Sequence, residues 1–225
     1  MLGAAAWAAP APAPVVSGFA RAFGIPLRLP TVRGVAITFD DGPHPLGTPK
    51  VLAALAEARA TATFFLVGEQ VERFPSLAAE IAAAGHEVAI HGYRHTLLLR
   101  RSPGGLADDL DRAAAVIAEA TGRVPVAYRP PYGVFSSYAL GLVRRRGWAP
   151  ILWSKWGHDW SANDLPERIV ERATSGLEAG DVVLLHDADH YGAPGSWRQT
   201  AAALPSILDA VAATGAPCVA VTQST

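Results

Sequence analysis

The chain is poor in cysteine, with one thiol, Cys218, in 225 residues. A lone thiol excludes an internal disulfide and a Cys-rich metal site, so any metal must be held by histidine and carboxylate. Charge is scarce too: 17% of residues are charged, against about a quarter in ordinary domains. The 19 basic side chains, all Arg except Lys50 and Lys155, nearly balance 20 acidic ones and leave a net charge of −1. Such a balance offers no polyanion-binding surface and disfavours nucleic acid as a partner. No stable membrane span is expected either, because the apolar run 1–9 is far short of the roughly 20 residues a spanning helix needs. Internal repeats, heptads and low-complexity linkers are also missing. What remains is a half-apolar chain long enough to bury one sizeable core.

The start of the chain is rich in Ala and Pro and carries small-residue triplets such as Ala4-Ala5-Ala6 and Ala9-Pro10-Ala11. It lacks a charged n-region, so it reads either as the clipped end of an export signal or anchor, or as a poorly ordered start. The first reading would place the protein at the cell envelope or outside the cell. Residues 1–33 are therefore set apart as an N-terminal extension, and 34–225 as the folded domain.

From Gly34 onward β-rich runs alternate with amphipathic stretches. Strands are expected at 35–39, 63–67, 87–90, 126–129, 150–153, 182–185 and 217–221, and helices at 48–60, 75–84, 106–120, 136–146, 165–177 and 197–212. The first helix should open with Thr48 as N-cap and Pro49 at its first position, and Gly85, Gly122 and Gly147 should close others. Strict alternation of strand and helix implies an α/β domain with parallel strands, either a barrel or a doubly wound sheet.

Unusual polar residues follow one expected strand after another, where βα enzymes keep their chemistry. They are Asp40-Asp41-Gly42-Pro43, His91-Gly92-Tyr93-Arg94-His95, Arg129-Pro130-Pro131-Tyr132-Gly133 and Leu184-Leu185-His186-Asp187. Adjacent carboxylates at a strand end point in different directions, so one can bind a cation while the other serves as a base; the alternative is an Asp-Gly-Pro turn in which both cap backbone amides. His91 and His95, four apart, can converge on one ion, but Gly92 stands where an HExxH protease carries Glu. With Asp41 they make two His and one carboxylate, the ligand count of an open catalytic zinc site. The same set suits non-haem iron, yet the His-x-Asp spacing and antiparallel fold usual for iron oxygenases are missing, which favours hydrolysis. Two prolines stiffen the loop after Arg129, which could tether a carboxylate, while the Tyr132 N–H could face an oxyanion. His186 titrates in the right range to protonate a leaving group.

Together these four ordered segments resemble the polysaccharide deacetylases, the NodB homology domain of carbohydrate esterase family 4, over roughly 34–221. The resemblance implies a distorted (β/α)7 barrel that hydrolyses acetyl groups from an amino-sugar glycan, of chitin or peptidoglycan type, with the help of a divalent metal, usually zinc. It makes Asp40 the catalytic base, His186 the acid, and Asp41, His91 and His95 the metal ligands. Arg129 would orient Asp40, the Tyr132 N–H would meet the oxyanion, and Leu184 would help hold the acetyl methyl. O-acetyl xylan esterases and deacylases of lipid-linked sugars share the pattern, and a catalytically silent carbohydrate-binding barrel is the rival from another class.

The family's fourth motif is altered. It carries two carboxylates three apart before a Trp, whereas this chain reads Trp153-Ser154-Lys155-Trp156-Gly157-His158-Asp159-Trp160. Trp156 stands in place of the carboxylate that supports the catalytic His, so Asp159 is expected to take over as partner of His186. Asp187 should project away from it. Trp156 and Trp160 are expected to stack on sugar rings. The remaining histidines, His44, His86, His158 and His190, are read as loop or edge residues, with His44 and His158 placed near the mouth.

Overall fold

A computed structural model describes residues 4–30, 33–161 and 163–223. Three strands form the centre: β1 (Ala36–Asp40), β2 (Ala62–Leu66) and β7 (Val182–His186). Their near-continuous apolar sequences, AITFD, ATFFL and VVLLH, are those of parallel strands covered on both faces. With β3 (Glu87–Ile90), β4 (Ala127–Tyr128), β5 (Ala149–Pro150) and β6 (Lys155–Trp156) they make one seven-stranded sheet. Its order is β5-β4-β3-β2-β1-β7-β6, and every pairing is parallel. The sheet curls into a distorted barrel with its seam between β5 and β6, which are consecutive in sequence yet lie at opposite edges.

The seam explains why the expected strand 150–153 divides. Pro150 removes a ladder donor, and the chain must then cross the opening within four residues. The Ile151 and Leu152 carbonyls accept from the Arg129 guanidinium at 3.4 and 2.9 Å rather than from a strand. The expected strand 217–221 is also corrected. It makes one bridge, Cys218 with Val35, and the Val221 N–H donates to the side chains of Thr63 and Glu87, so the segment plugs the end of the barrel remote from the site.

Helices pack outside the sheet, and their ends follow local chemistry. The 19-residue helix α6 (Pro103–Thr121) has Ser102 as N-cap, Pro at its first position and Gly122 in the left-handed conformation, φ 65°, at its end. In α3 (Gly47–Glu57) the expected cap is replaced. His44 Nδ1 accepts from the Leu46 and Gly47 N–H groups, and Thr48 instead accepts from the His44 N–H and donates to Asp187. Three helices were not anticipated: α1 (Ala4–Ala8), α2 (Ser17–Ala22) and α4 (Gly68–Arg73).

The first two belong to the N-terminal extension, which packs tightly on the barrel. Ala13, Ala20, Ile25 and Leu29 are buried in the main core. The Pro26 carbonyl accepts from the Leu152 N–H at the seam, and the Leu29 N–H donates to Gly180. The extension thereby covers a sheet edge that would otherwise stand open.

Candidate active site

β1, β3 and β7 deliver their C-terminal residues to one cavity of about 570 Å³. All the residues given a catalytic, metal-binding or substrate-binding role from the sequence line it, except Arg129 and Asp159, which are buried and outside its lining. Asp40 and Asp41 diverge as the strand geometry requires. Asp40 is the last residue of β1 and turns to Arg129, whose Nη1 donates to Oδ1 at 2.7 Å. Asp41 has left the strand at φ 78°, a conformation costly for a residue with a Cβ and characteristic of functional sites.

That turn carries Asp41 Oδ1 to 3.4 Å from His91 Nε2 and 3.3 Å from His95 Nε2. Ligand atoms held about 2.0–2.1 Å from a shared ion at tetrahedral angles lie about 3.3–3.4 Å apart. The His91 Nδ1–H is tied to the Arg129 carbonyl at 2.9 Å, which aims the Nε2 lone pair at Asp41. Asp41 Oδ1 is buried without a hydrogen-bond partner, an expensive state that a cation relieves. The three residues therefore fit a divalent ion. Burial opposes charge on Asp41, but the close contact with His91 and the imidazoles of His186 and His95 around it hold its carboxyl down at about 2. Burial drives His95 down to about 4 against the pull of Asp41, keeping the ring neutral with a lone pair on one nitrogen. His95 also stacks on Tyr191, centroids 4.2 Å apart.

Arg129 is fully buried, and its donors reach Thr38 Oγ1 as well as Asp40 and the seam carbonyls, so one guanidinium holds the base and closes the barrel. His186, across the cavity, has Nδ1 2.8 Å from Asp159 Oδ1, while Asp159 Oδ2 accepts from the His186 N–H at 2.7 Å and from Thr200 Oγ1 at 2.6 Å. Asp159 thus stands as the partner of His186, and the Asp187 carboxyl turns away to Thr48. Thr200, on α9 (Trp197–Ala213), had no local sequence signal.

Tyr132 is 58% exposed and left-handed, φ 60° and ψ 8°. Trp156 and Trp160, ring centroids 5.6 Å apart, line the cavity together with Leu184. Sequence reasoning missed Trp153 and Tyr191 in the lining, and also Ala11, Pro14 and Val15 of the extension. His158 is not among the lining residues and instead packs against Trp156 and Trp160. His44, also read as a mouth residue, is buried and belongs to a second His/Asp/His group with Asp189 and His190. There His44 Nδ1 already accepts two backbone N–H groups, leaving Nε2–H to donate to Asp189 at 3.1 Å, so no lone pair remains for a metal.

The barrel and its rim of paired carboxylates and imidazoles define a βα-barrel hydrolase with an aromatic-walled cavity. The chain belongs to the polysaccharide deacetylase family, whose model matches residues 30–151. It is 38% identical over 156 residues to a chitooligosaccharide deacetylase of Bradyrhizobium sp. (strain ANU 289), covering 69% of this chain and 71% of that one. It is 36% identical over 177 residues to a peptidoglycan-N-acetylglucosamine deacetylase of Bacillus cereus, covering 77% and 79%. The solved structure of the Bc1960 peptidoglycan N-acetylglucosamine deacetylase, in complex with 4-naphthalen-1-yl-N-oxidanyl-benzamide, superposes with a TM-score of 0.85 at 26% identity, covering 93% of this chain and 96% of that one. Like its family, the protein is a polysaccharide deacetylase, a hydrolase.

Proposed function

We propose that the protein is a metal-dependent deacetylase that removes the N-acetyl group of an N-acetylglucosamine-type residue within a glycan, releasing acetate. The observation that carries this reading is the joining, in one cavity, of the Asp41/His91/His95 ligand set with two separately held groups, Asp40 on Arg129 and His186 on Asp159. A divalent ion held by those three residues, zinc by the donor set, supplies Lewis acidity to water and to the acetamide carbonyl.

Asp40 takes the proton of the attacking water on Oδ2, because Oδ1 is occupied by Arg129. The C–O bond forms at the carbonyl carbon, and the Tyr132 N–H meets the developing oxyanion. The Leu184 side chain, 3% exposed beside Trp156, receives the acetyl methyl. The C–N bond then breaks as His186 gives its proton to the nitrogen, leaving acetate and a free amine. Burial works against a charged His186, but Asp159, with smaller help from Asp41 and Asp40, lifts it to about 10, so it carries the proton it must donate at neutral pH. Trp156 and Trp160 support the sugar ring. Acetate release from a panel of acetylated glycans, with and without chelator, tests the reading. Release from N-acetylated oligomers that stops on chelation and returns with metal is expected; none from any N-acetylated glycan by metal-loaded protein would overturn it.

A further inference from the structure

A second cavity, of about 560 Å³, shares His95 and Tyr132 with the first and is otherwise lined by Thr96, Leu97, Arg100 and Arg101. His95 and Tyr132 thus form a wall common to both cavities, and the second adjoins the reacting centre. No carboxylate lines the cavity among the described residues, so its character is cationic.

The two arginines are differently placed. Arg101 Nη2 already donates to the Gly105 carbonyl at 2.9 Å and to Asp109 Oδ1 at 3.1 Å, and Asp109 also accepts from the Tyr93 N–H. Arg100 is exposed and its guanidinium has no acceptor among the described residues. Its backbone is nonetheless fixed. It ends the 3₁₀ helix Leu98–Arg100, in which Leu98 is buried in the core and the Leu99 carbonyl accepts from Trp7 Nε1 of the N-terminal extension at 3.3 Å. An unpaired guanidinium on a pinned turn, facing a cavity without acidic groups, is arranged to take a carboxylate.

We propose that this second cavity is an anion subsite in which Arg100 binds the lactyl-ether carboxylate of a muramic acid residue next to the N-acetylglucosamine being deacetylated. The substrate is then a peptidoglycan glycan strand rather than a neutral chitin oligomer, an assignment that rests on the N-deacetylation reading. The free lactyl carboxylate exists only on peptide-free strands, since a stem peptide converts it to an amide.

The test compares kcat/KM for acetate release from chitotetraose, a peptide-free peptidoglycan tetrasaccharide and its peptide-bearing form. Wild type is expected to prefer the peptide-free tetrasaccharide, with the preference weakening as salt is raised. Arg100→Gln should cut the anionic-to-neutral ratio by about three- to tenfold, the worth of a partly exposed charge-assisted pair, through KM rather than kcat. Arg100→Lys should restore part of it. An unchanged ratio in Arg100→Gln overturns the subsite, and an Arg100 dependence confined to the peptide-bearing substrate overturns the lactyl assignment. Titrating both tetrasaccharides into metal-loaded Asp40→Asn protein reads the cavity without turnover. A binding preference there, with no acetate released by wild type, would sink the deacetylation reading while leaving the subsite standing.

Discussion

Replacing Asp159 by Asn separates the charge on His186 from its position. Asp159 is fully buried and touches His186 twice, at Nδ1 and at the peptide N–H, with Thr200 as its third partner. A cation at Asp41, His91 and His95 offsets the help His186 receives from Asp41 and Asp40, which leaves Asp159 as the main support of the imidazolium. An opposite charge in such contact is worth about 1–3 pH units. The general acid must be protonated, so kcat/KM falls as pH rises through the His186 pKa. Asn removes the charge, and the alkaline limb should move down by about 1–3 units, with a greater loss near pH 8 than near pH 6. The amide cannot satisfy the pocket either: with its oxygen on Thr200 and the His186 N–H, its NH₂ faces Nδ1 and demands a lone pair there.

A shift of about 1–3 units from about 10 leaves His186 between almost fully and about one-tenth protonated at pH 8, so titration alone costs up to about tenfold there, and the misplaced NH₂ adds to that loss. The pH profile of acetate release reads it, with Asp187→Asn as the variant whose limb should stay in place, because its carboxyl faces Thr48. Stability gives a second readout. Folded His186 holds its proton more tightly than the unfolded chain does, so the pair stabilises fully below the ordinary 6.5 and the effect is lost as pH rises through about 10. The Tm difference between wild type and Asp159→Asn should therefore shrink toward alkaline pH. An unmoved alkaline limb in folded, metal-loaded Asp159→Asn protein would refute the reasoning.

Three further outcomes are expected. His91→Ala and His95→Ala should lose the bound ion in elemental analysis while keeping a cooperative thermal transition; full occupancy in both would remove them from the ligand set. Asp40→Asn should retain the ion and lose about 10²–10⁴ in turnover, since the amide keeps the shape but cannot accept the proton; a rate within a few-fold of wild type would contradict that role. Arg129→Met strips a fully buried charge from Asp40 and donors from the Leu152 carbonyl and Thr38, and urea denaturation should show a loss of about 3–5 kcal/mol. A loss under about 1 kcal/mol would mean that the barrel seam does not depend on it.

Much of the site could be read from the chain alone because its signals are local. An apolar run that ends in Asp40-Asp41-Gly42-Pro43, or in Leu184-Leu185-His186, marks a buried strand opening on a polar rim. Two prolines after Arg129 mark a stiff turn, and Gly122 after a periodic stretch marks a helix end. Each of these depends on backbone sterics and side-chain periodicity within about ten residues. They sufficed for the central parallel strands, for six of the helices and for the polar residues that meet at the cavity.

Contacts between distant segments had to wait for the tertiary structure. Thr48 looked like a cap because the cap rule is local, but Asp187, 139 residues away, takes its hydroxyl. The run 217–221 had the composition of a strand, yet it meets the sheet in one bridge, Cys218 with Val35, just before β1 begins. Ala11, Pro14 and Val15 became part of the cavity wall only because the sheet fails to close between β5 and β6 and the extension lies over the seam. Arg100 gained its setting the same way, through Trp7 at a separation of 92 residues. The chain encodes what each segment can do through nearest-neighbour sterics; which segments meet depends on strand order and on how the barrel closes, a global balance of burial and hydrogen-bond satisfaction that no short stretch contains.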